Sequence, residues 1–475
     1  MSRRWAAALL VALALSCDAP DPIPNEFTRR PLGTPTSSET NVIGLVGTMS
    51  GPDSWRGDDA FEGADLGVHI LNREIGEGGR PYELVTLDDG GDAGQAAALV
   101  EQLAASPRTM GVIYAGPSEG LASAAAALAQ AGIPGILCYG DLFSARLLRG
   151  TLFQVSPPYA WEARALGEYL RKDRGYVKVG ALVRDTLAGR TARESLRAAP
   201  GLRDLVIETF PHDAEDYRPY LEHMKEQRVE ALIIEGAPRE VLAIAADLEA
   251  MGAAYSSTAG ARIGSAPGRI RRQRVRTGHW APQLASFDLG VTPAAPPDLP
   301  PPGTVASDSY ARGAHYLPVP SLRTFAADFL DWWGSSPLGW EHRAYQAARL
   351  IGWGAQSSEA GRSGIAAALE TIHGERHGGL EVFLSGDDHV IPDQPAMGLW
   401  TIPTSGTSVP ERGDLPPNFP WVPLARSFAG ASGRTDIPAT DWKALFEGSP
   451  SRRGQAPRFT AFKFGITTTK RDPVH

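Results

Sequence analysis

The sequence predicts an α/β protein with two doubly wound, Rossmann-like lobes and a C-terminal extension. From Asn41 onward, short apolar strands alternate with amphipathic helices, which is typical of a parallel sheet covered by helices on both faces. This alternation stops near residue 140 and starts again near residue 160. A chain of 475 residues is also too long for one ordinary hydrophobic core. We therefore expect two lobes of similar size.

The first lobe begins with four predicted strands, because four short apolar runs are separated by segments with helical spacing. The strands are Val42–Val46, Tyr82–Leu87, Met110–Tyr114 and Ile133–Leu137. The helices between them are Ala60–Asn72, Ala93–Ala105 and Gly120–Ala131. The acidic run Asp88–Asp92 lacks the spacing of a calcium loop and is expected to be a strand end followed by a helix start.

The second lobe repeats the pattern without clear sequence similarity to the first. Its predicted helices are Ala160–Asp173, Arg190–Ala198, Tyr217–Gln227 and Arg239–Met251. Its predicted strands are Lys178–Val183, Leu205–Phe210 and Ala231–Glu235. After the Pro-rich segment Thr292–Gly303 we expect two helices and two strands, at Leu322–Trp333, Glu341–Gln356, Leu380–Leu384 and Met397–Ile402. Residues 403–475 form a Pro-rich extension to which no function is assigned.

The amino terminus is typical of a secretory signal. Two arginines precede the apolar run Trp5–Leu15, whose eleven residues are too few to span a bilayer. The stretch Leu13–Cys17 resembles a bacterial lipobox, so residues 1–17 are a signal peptide and Cys17 is the lipidated residue. Residues 18–40 are then a flexible tether. The expected location is extracytoplasmic, in the periplasm or at the cell surface; plain secretion with nearby cleavage is the alternative.

The composition excludes some classes of function. A net charge of −8 argues against nucleic-acid binding, which needs a basic face. His373 and His377 have H-x₃-H spacing, but the pattern matches no zinc helix and Gly374 interrupts it. We therefore predict a surface turn there, no metal and no cofactor.

The segment Gly116–Gly120 matches G-x-S-x-G, the pattern around the nucleophilic serine of α/β-hydrolases. A nucleophilic Ser118 needs a histidine base, an acid and oxyanion donors, and no His-Gly-Gly-Gly element precedes it. The alternative is a binding turn, in which Ser118 caps the following helix and donates to a ligand. We favour binding, and an esterase-like hydrolase remains the alternative.

The order and spacing of several segments resemble the type I periplasmic binding proteins, specifically the leucine/isoleucine/valine-binding receptors of ABC transporters. The segments are 43–72, 83–104, 114–120, 182–190 and a late stretch made of 344–355, 365–372 and 378–391. The resemblance covers about residues 41–402. It implies a non-enzymatic receptor whose two lobes, joined by crossovers, close on a small molecule and deliver it to an ABC permease. It assigns residues 41–156 and 283–360 to lobe 1, and residues 157–282 and 361–402 to lobe 2. A sensor or regulator with the same fold is a further alternative.

The resemblance also implies which residues line the cleft between the lobes. Lobe 1 contributes Ser50, Trp55, Ser118, Glu119, Tyr139, Gly140 and Asp141, and lobe 2 contributes Leu187 and Glu235. Together the carboxylates of Glu119, Asp141 and Glu235 suit an ammonium, an amide or a polyol better than a bare anion. The expected ligand is therefore an amino acid, an amide or a polyol.

Overall fold

The computed structural model describes most of the two predicted lobes. The described residues are 40–51, 53–75, 79–139, 150–202, 204–253, 280–287, 304–309, 320–335, 337, 340–391, 397–401 and 422–423. The predicted signal peptide with Cys17, the tether up to residue 39, Gly140 and Asp141 lie outside them, as do the segment Thr292–Gly303 and the extension apart from residues 422–423.

The first sheet has five parallel strands in the order β2-β1-β3-β4-β5. They are β1 (Asn41–Gly47), β2 (Tyr82–Asp88), β3 (Thr109–Ala115), β4 (Gly135–Leu137) and β5 (Leu152–Gln154). β1 is buried from Val42 to Gly47, as expected of a central strand with helices on both faces.

In the described part of the chain, six α-helices lie with the first sheet. Three follow its strands: α1 (Trp55–Ile75), α2 (Ala93–Ala105) and α3 (Leu121–Ala131), the last preceded by a 3₁₀ turn at Ser118–Gly120. Asp92 caps α2 by accepting a hydrogen bond from the N–H of Gln95, and α3 ends at Gly132 in the left-handed conformation.

The other three helices come from later in the chain: α8 (Pro320–Trp333), α9 (Glu341–Ser357) and α10 (Ile365–Leu369). α9 lies along α1. Gly63 allows this close approach, because a Cβ there would collide with the backbone carbonyl of Glu341.

The second sheet has seven strands in the order β14-β13-β10-β9-β8-β6-β7. They are β6 (Val179–Arg184), β7 (Val206–Phe210), β8 (Ala231–Glu235), β9 (Gln283–Ser286), β10 (Val305–Ser309), β13 (Met397–Thr401) and β14 (Val422–Pro423). The strands from β7 to β10 are parallel, and β13 and β14 continue the sheet antiparallel. The helices of this lobe are α4 (Tyr159–Glu168, continued by a π turn to Asp173), α5 (Leu187–Ala198), α6 (Arg218–Glu226) and α7 (Pro238–Ala250).

The strand pairing changes the predicted lobe boundaries. β9 pairs with β8 and β10 pairs with β9, so residues 283–286 and 305–309 belong to the second sheet and not to lobe 1. α10 packs against α9 on the first sheet, so the segment after residue 360 stays with lobe 1 until β13. The sequence could not indicate this, because an apolar run shows that a strand exists but not which sheet it joins.

Along its described elements, the chain therefore passes between the sheets three times: after β5, after β10 and before β13. Two of these passages lie side by side. The N–H of Gln154 donates to the carbonyl of His389 at 3.0 Å, and the N–H of Ile391 donates to the carbonyl of Gln154 at 2.8 Å. This paired backbone joins the two lobes.

The histidines of the H-x₃-H segment form a hairpin, not the predicted surface turn. β11 (His373–His377) pairs with β12 (Leu380–Phe383) around Gly378 and Gly379, both with positive φ. Two glycines with positive φ suit a tight two-residue hairpin turn, which explains the strands. Among the described residues no cluster of three potential metal ligands occurs. None of the helices in the described part of the chain has the length and apolar character needed to cross a membrane.

Candidate ligand-binding cleft

Two polar contacts join loops that belong to different sheets. Glu119, after β3, accepts a 2.7 Å hydrogen bond from the backbone N–H of Leu187, the first residue of α5 after β6. Asp53 Oδ1, after β1, lies 3.8 Å from Arg239 Nη2, after β8. All four residues follow the carboxyl ends of parallel strands, so these ends of the two sheets face each other across a cleft.

The strand orders place a crevice at this edge of each sheet. In the first sheet the order reverses at β1, and in the second the equivalent reversal occurs at β6. In open α/β sheets, ligands bind where the loops after such neighbouring strands diverge. These loops are residues 48–54 and 116–119 in lobe 1, and residues 185–187 and 236–239 in lobe 2. The two interlobe contacts join these same loops.

The glycines of the G-x-S-x-G segment are explained by packing. A Cβ on Gly116 would collide with the Asp89 carboxylate, and one on Gly120 would lie 2.6 Å from the Ala93 carbonyl. The Tyr114 hydroxyl donates to the Pro117 carbonyl at 2.6 Å and fixes the turn between them. The spacing of the two glycines therefore needs no catalytic explanation.

Ser118 is the first residue of the 3₁₀ turn, and its predicted capping role is wrong. The N-cap position is Pro117, and no side chain caps this turn. Ser118 is 8% exposed, and no hydrogen bond to its side chain is found among the described residues. His389, a histidine downstream of Ser118, lies 2.7 Å from the Leu152 carbonyl and 3.0 Å from Glu370, so both ring nitrogens have other neighbours.

Carboxylates after β2 hold the lobe 1 loops in place. Asp88 Oδ1 accepts hydrogen bonds from the N–H groups of Met49 and Gly90, at 2.8 and 2.9 Å. Burial works to raise the pKa of Asp88, but these bonds and those from Ser50 lower it. Ser50, which the sequence predicts to bind the ligand, is thus exposed and hydrogen-bonded to Asp88.

The neighbouring Asp89 is fully buried, and it accepts a 2.8 Å bond from the Thr48 hydroxyl. Burial raises the pKa of Asp89, and hydrogen bonds from Gly91 and Thr48 oppose the shift. The acidic residues after β2 therefore hold the loop after β1 in place through hydrogen bonds. Because Asp92 caps α2, the predicted strand end and helix start are confirmed.

Two predicted aromatic residues of lobe 1 pack against each other. The ring centroids of Trp55 and Tyr139 are 5.6 Å apart in an edge-to-face arrangement, and Trp55 also packs on Trp340 at 4.5 Å. Trp55 is half-buried, whereas Tyr139 is buried. The Cζ atom of Arg343 lies over the Tyr139 ring, 5.9 Å from its centroid. Burial raises the pKa of Tyr139 well above its ordinary value, so the phenol is neutral.

The predicted ligand residue Glu235 forms a buried ion pair within lobe 2. Its Oε1 lies 2.9 Å from Arg184 Nη2, and its Oε2 accepts a 3.1 Å bond from the Arg184 backbone. Arg184 also lies 3.8 Å from Glu240. Burial works against the charged guanidinium, but these carboxylates raise the pKa of Arg184. The negative charge expected of Glu235 in the cleft is therefore neutralised by Arg184.

Sequence reasoning missed four charged residues at this edge: Asp53, Arg56, Arg184 and Arg239. The sequence contains an indication of one of them, Arg184. Arg184 ends a strand that is otherwise apolar, and a charged residue in a buried strand requires a partner. The other three lie in loops or at helix starts, where charged side chains are common.

Comparison with protein families gives one match. The model of a family described as periplasmic binding proteins matches residues 40–400. None of the curated proteins compared with the chain matches it.

Solved structures share the fold at low sequence identity. A leucine-binding protein from Thermotoga maritima is 14% identical, with a TM-score of 0.61, and the match covers 76% of this chain and 95% of that one. A branched-chain amino acid transporter substrate-binding protein from Streptococcus pneumoniae, in complex with isoleucine, is 18% identical, with a TM-score of 0.61 and coverages of 77% and 97%. A solute-binding protein from R. palustris, in complex with 4-hydroxybenzoate, is 18% identical, with a TM-score of 0.60 and coverages of 76% and 93%.

The ion pair of Glu235 predicts the effect of removing its charge. We expect Glu235→Gln to lower the free energy of unfolding by about 3–5 kcal/mol, because it leaves Arg184 buried beside the more distant Glu240. Urea denaturation measures this change. The control is Asp185→Asn, which removes an exposed partner of Arg190 and should change stability by less than about 1 kcal/mol. An unchanged free energy of unfolding in Glu235→Gln would contradict the buried ion pair between Glu235 and Arg184.

Proposed function

Because the chain belongs to the periplasmic binding protein family, we propose that it is an extracytoplasmic receptor that captures a small polar or amino-acid-like ligand and delivers it to an ABC transporter. The observation that carries the proposal is the cleft, where the switch-point loops of both sheets meet through Glu119 and Leu187. The family match also confirms the type I fold and the prediction that the protein is not an enzyme.

The mechanism is closure of the two lobes around the ligand. A ligand that contacts both lobes shifts the population toward the closed form, since it binds that form more tightly. The contacts Glu119–Leu187 and Asp53–Arg239 join the lobes and add to the stability of the closed form. The adjacent backbone passages near Gln154 and His389 are the hinge about which the lobes rotate.

The ligand lies between the loops at the two switch points. Ser118 offers a hydroxyl group to it, and the half-buried Trp55 side chain lies in the neighbouring loop. The N-terminus of α5, beginning at Leu187, attracts negative groups through the N–H groups of its first turn, which have no partner within the helix. Glu119 lies at that terminus in the present structure.

The protein is attached to the membrane through a lipid on Cys17. The tether of residues 18–40 is rich in Pro, Ser and Thr, which gives it reach without a packed core. It lets the two lobes move beside a membrane-embedded permease while the anchor keeps them at high local concentration.

A ligand that binds the cleft should stabilise the folded protein by mass action. We expect one or more compounds among amino acids, amides, polyols and aromatic acids to raise the melting temperature of the Cys17→Ala chain. The free energy of unfolding then rises by about 2.7 kcal/mol at a ligand concentration a hundred times Kd, which appears as a higher melting temperature. Differential scanning fluorimetry measures it. Absence of any shift across the whole panel would contradict the receptor function.

The anchor is tested separately. We expect tritiated palmitate to label the wild-type chain in a bacterial host and to be lost in Cys17→Ala, because the Cys17 thiol is the attachment point. Cys138→Ala is the matched control and keeps the label, since Cys138 is buried in lobe 1. Equal labelling of wild type and Cys17→Ala, or no labelling of wild type, would disprove the anchor.

A further inference from the structure

Arg239 lies between two carboxylates that belong to different lobes. Its Nη2 atom is 3.8 Å from Asp53 Oδ1, in the lobe 1 loop after β1. The same atom is 3.8 Å from Glu240 Oε1, in its own helix α7 of lobe 2. Both distances suit an ion pair but exceed the range of about 2.7–3.2 Å that an N–H···O hydrogen bond requires. The guanidinium is therefore shared between the two acids and hydrogen-bonded to neither.

The two carboxylate oxygens that face Arg239 lack a hydrogen-bond donor. Asp53 Oδ1 and Glu240 Oε1 are shielded from solvent, and neither accepts a hydrogen bond within the described part of the chain. A desolvated carboxylate oxygen is costly without a donor, and a charged donor gives it the stronger bond. A movement of Arg239 Nη2 by about 1 Å toward either oxygen would form such a bond. Each acid therefore attracts the same guanidinium.

Glu240 is fixed within lobe 2. It is buried, and its Oε2 accepts a hydrogen bond from the N–H of Ala237 before α7 and lies 3.8 Å from Arg184 Nη1. Burial raises the pKa of Glu240, whereas Arg184, the Ala237 N–H and Arg239 act to lower it. The pKa remains raised, so these groups compensate the negative charge of Glu240 only in part.

Asp53 is fixed within lobe 1, whereas Arg239 can move. The Asp53 carbonyl accepts the N–H of Arg56 in the first turn of α1, and the same loop is held by the bond from Met49 to Asp88. The Arg239 side chain is 44% exposed, and its long stem has many rotamers. The arginine is therefore the movable part of this group, and each acid stays with its own lobe.

We propose that Arg239 is a two-position clasp that sets how readily the lobes close, pairing with Glu240 when the lobes are apart and with Asp53 when they meet. In the open form Asp53 moves away with lobe 1, while Glu240 remains beside Arg239. In the closed form the guanidinium bridges both acids. Asp53 thus favours closure and Glu240 opposes it. This inference rests on the proposed receptor function and adds a control of closure that needs no contact with the ligand.

The test measures closure in the absence of ligand. Single-molecule energy transfer between dyes on two exposed positions, Ser123→Cys in α3 and Arg197→Cys in α5, reports the distance between the lobes in a Cys17→Ala chain. Asp53→Asn should lower the ratio of closed to open molecules about 1.5- to 5-fold, as expected for the loss of a partly exposed ion pair. Glu240→Gln should raise the ratio, because the open form loses the partner of Arg239.

Two further variants separate the clasp from other effects. In an Arg239→Met background, Asp53→Asn should leave the ratio of closed to open molecules unchanged, because its partner is already absent. Arg218→Met is the matched control, since it removes an exposed arginine of lobe 2 whose partners, Asp216 and Asp247, lie in the same lobe. It should keep the wild-type ratio.

Urea denaturation shows whether Glu240→Gln is folded, and if it is not, the substitutions of Asp53 and Arg239 decide the question. An unchanged ratio in Asp53→Asn, an effect of Asp53→Asn that persists without Arg239, or a ratio that does not rise in folded Glu240→Gln would overturn the clasp. The receptor function would still stand, because the melting-temperature panel tests it on a chain that keeps all three residues. If that panel gives no shift, the receptor function fails, while the ligand-free ratios still show whether Arg239 holds the lobes together.

Discussion

A charge that is withdrawn from water needs a partner, and this constraint determines the arrangement of the facing strand ends. In lobe 2, Glu235 is neutralised by Arg184 on the neighbouring strand. Across the cleft, Glu119 finds a backbone N–H, and Asp53 faces an arginine of the opposite lobe. These pairs hold the loops at the facing strand ends in place, within lobe 2 and between the two lobes.

The pairs within a lobe and the pairs between lobes have different roles. Arg184 and Glu235 are buried in one sheet, so separating them would leave a charge without solvent or partner. The Glu119–Leu187 contact is exposed, and both groups can return to water when the lobes part. Each lobe is therefore a rigid unit, and the contacts between lobes are reversible. This combination is what a receptor that closes by rotation about a hinge requires.

The sequence predicts the alternation of strands and helices well because each long element has its own hydrophobic period. Helix Ala93–Ala105 and strand Ala231–Glu235 have the predicted bounds. The three-residue strand Leu152–Gln154 was missed because so short a run carries no period. For the site, the sequence indicates the switch-point loops but not their charge. Glu235 pairs with a residue 51 positions away, and only the alignment of β6 with β8 brings the two together.

The central claim is that the two lobes close on a small ligand. It is tested most directly by the distance between spin labels on exposed positions of the two lobes, Glu101→Cys in α2 and Glu194→Cys in α5, in a Cys17→Ala chain. Cys138 is buried, so it does not compete for the label. Double electron–electron resonance should show a broad distribution without ligand. A ligand that raises the melting temperature should narrow the distribution and shift it to a single closed distance. A distribution that a saturating ligand leaves unchanged would contradict the account.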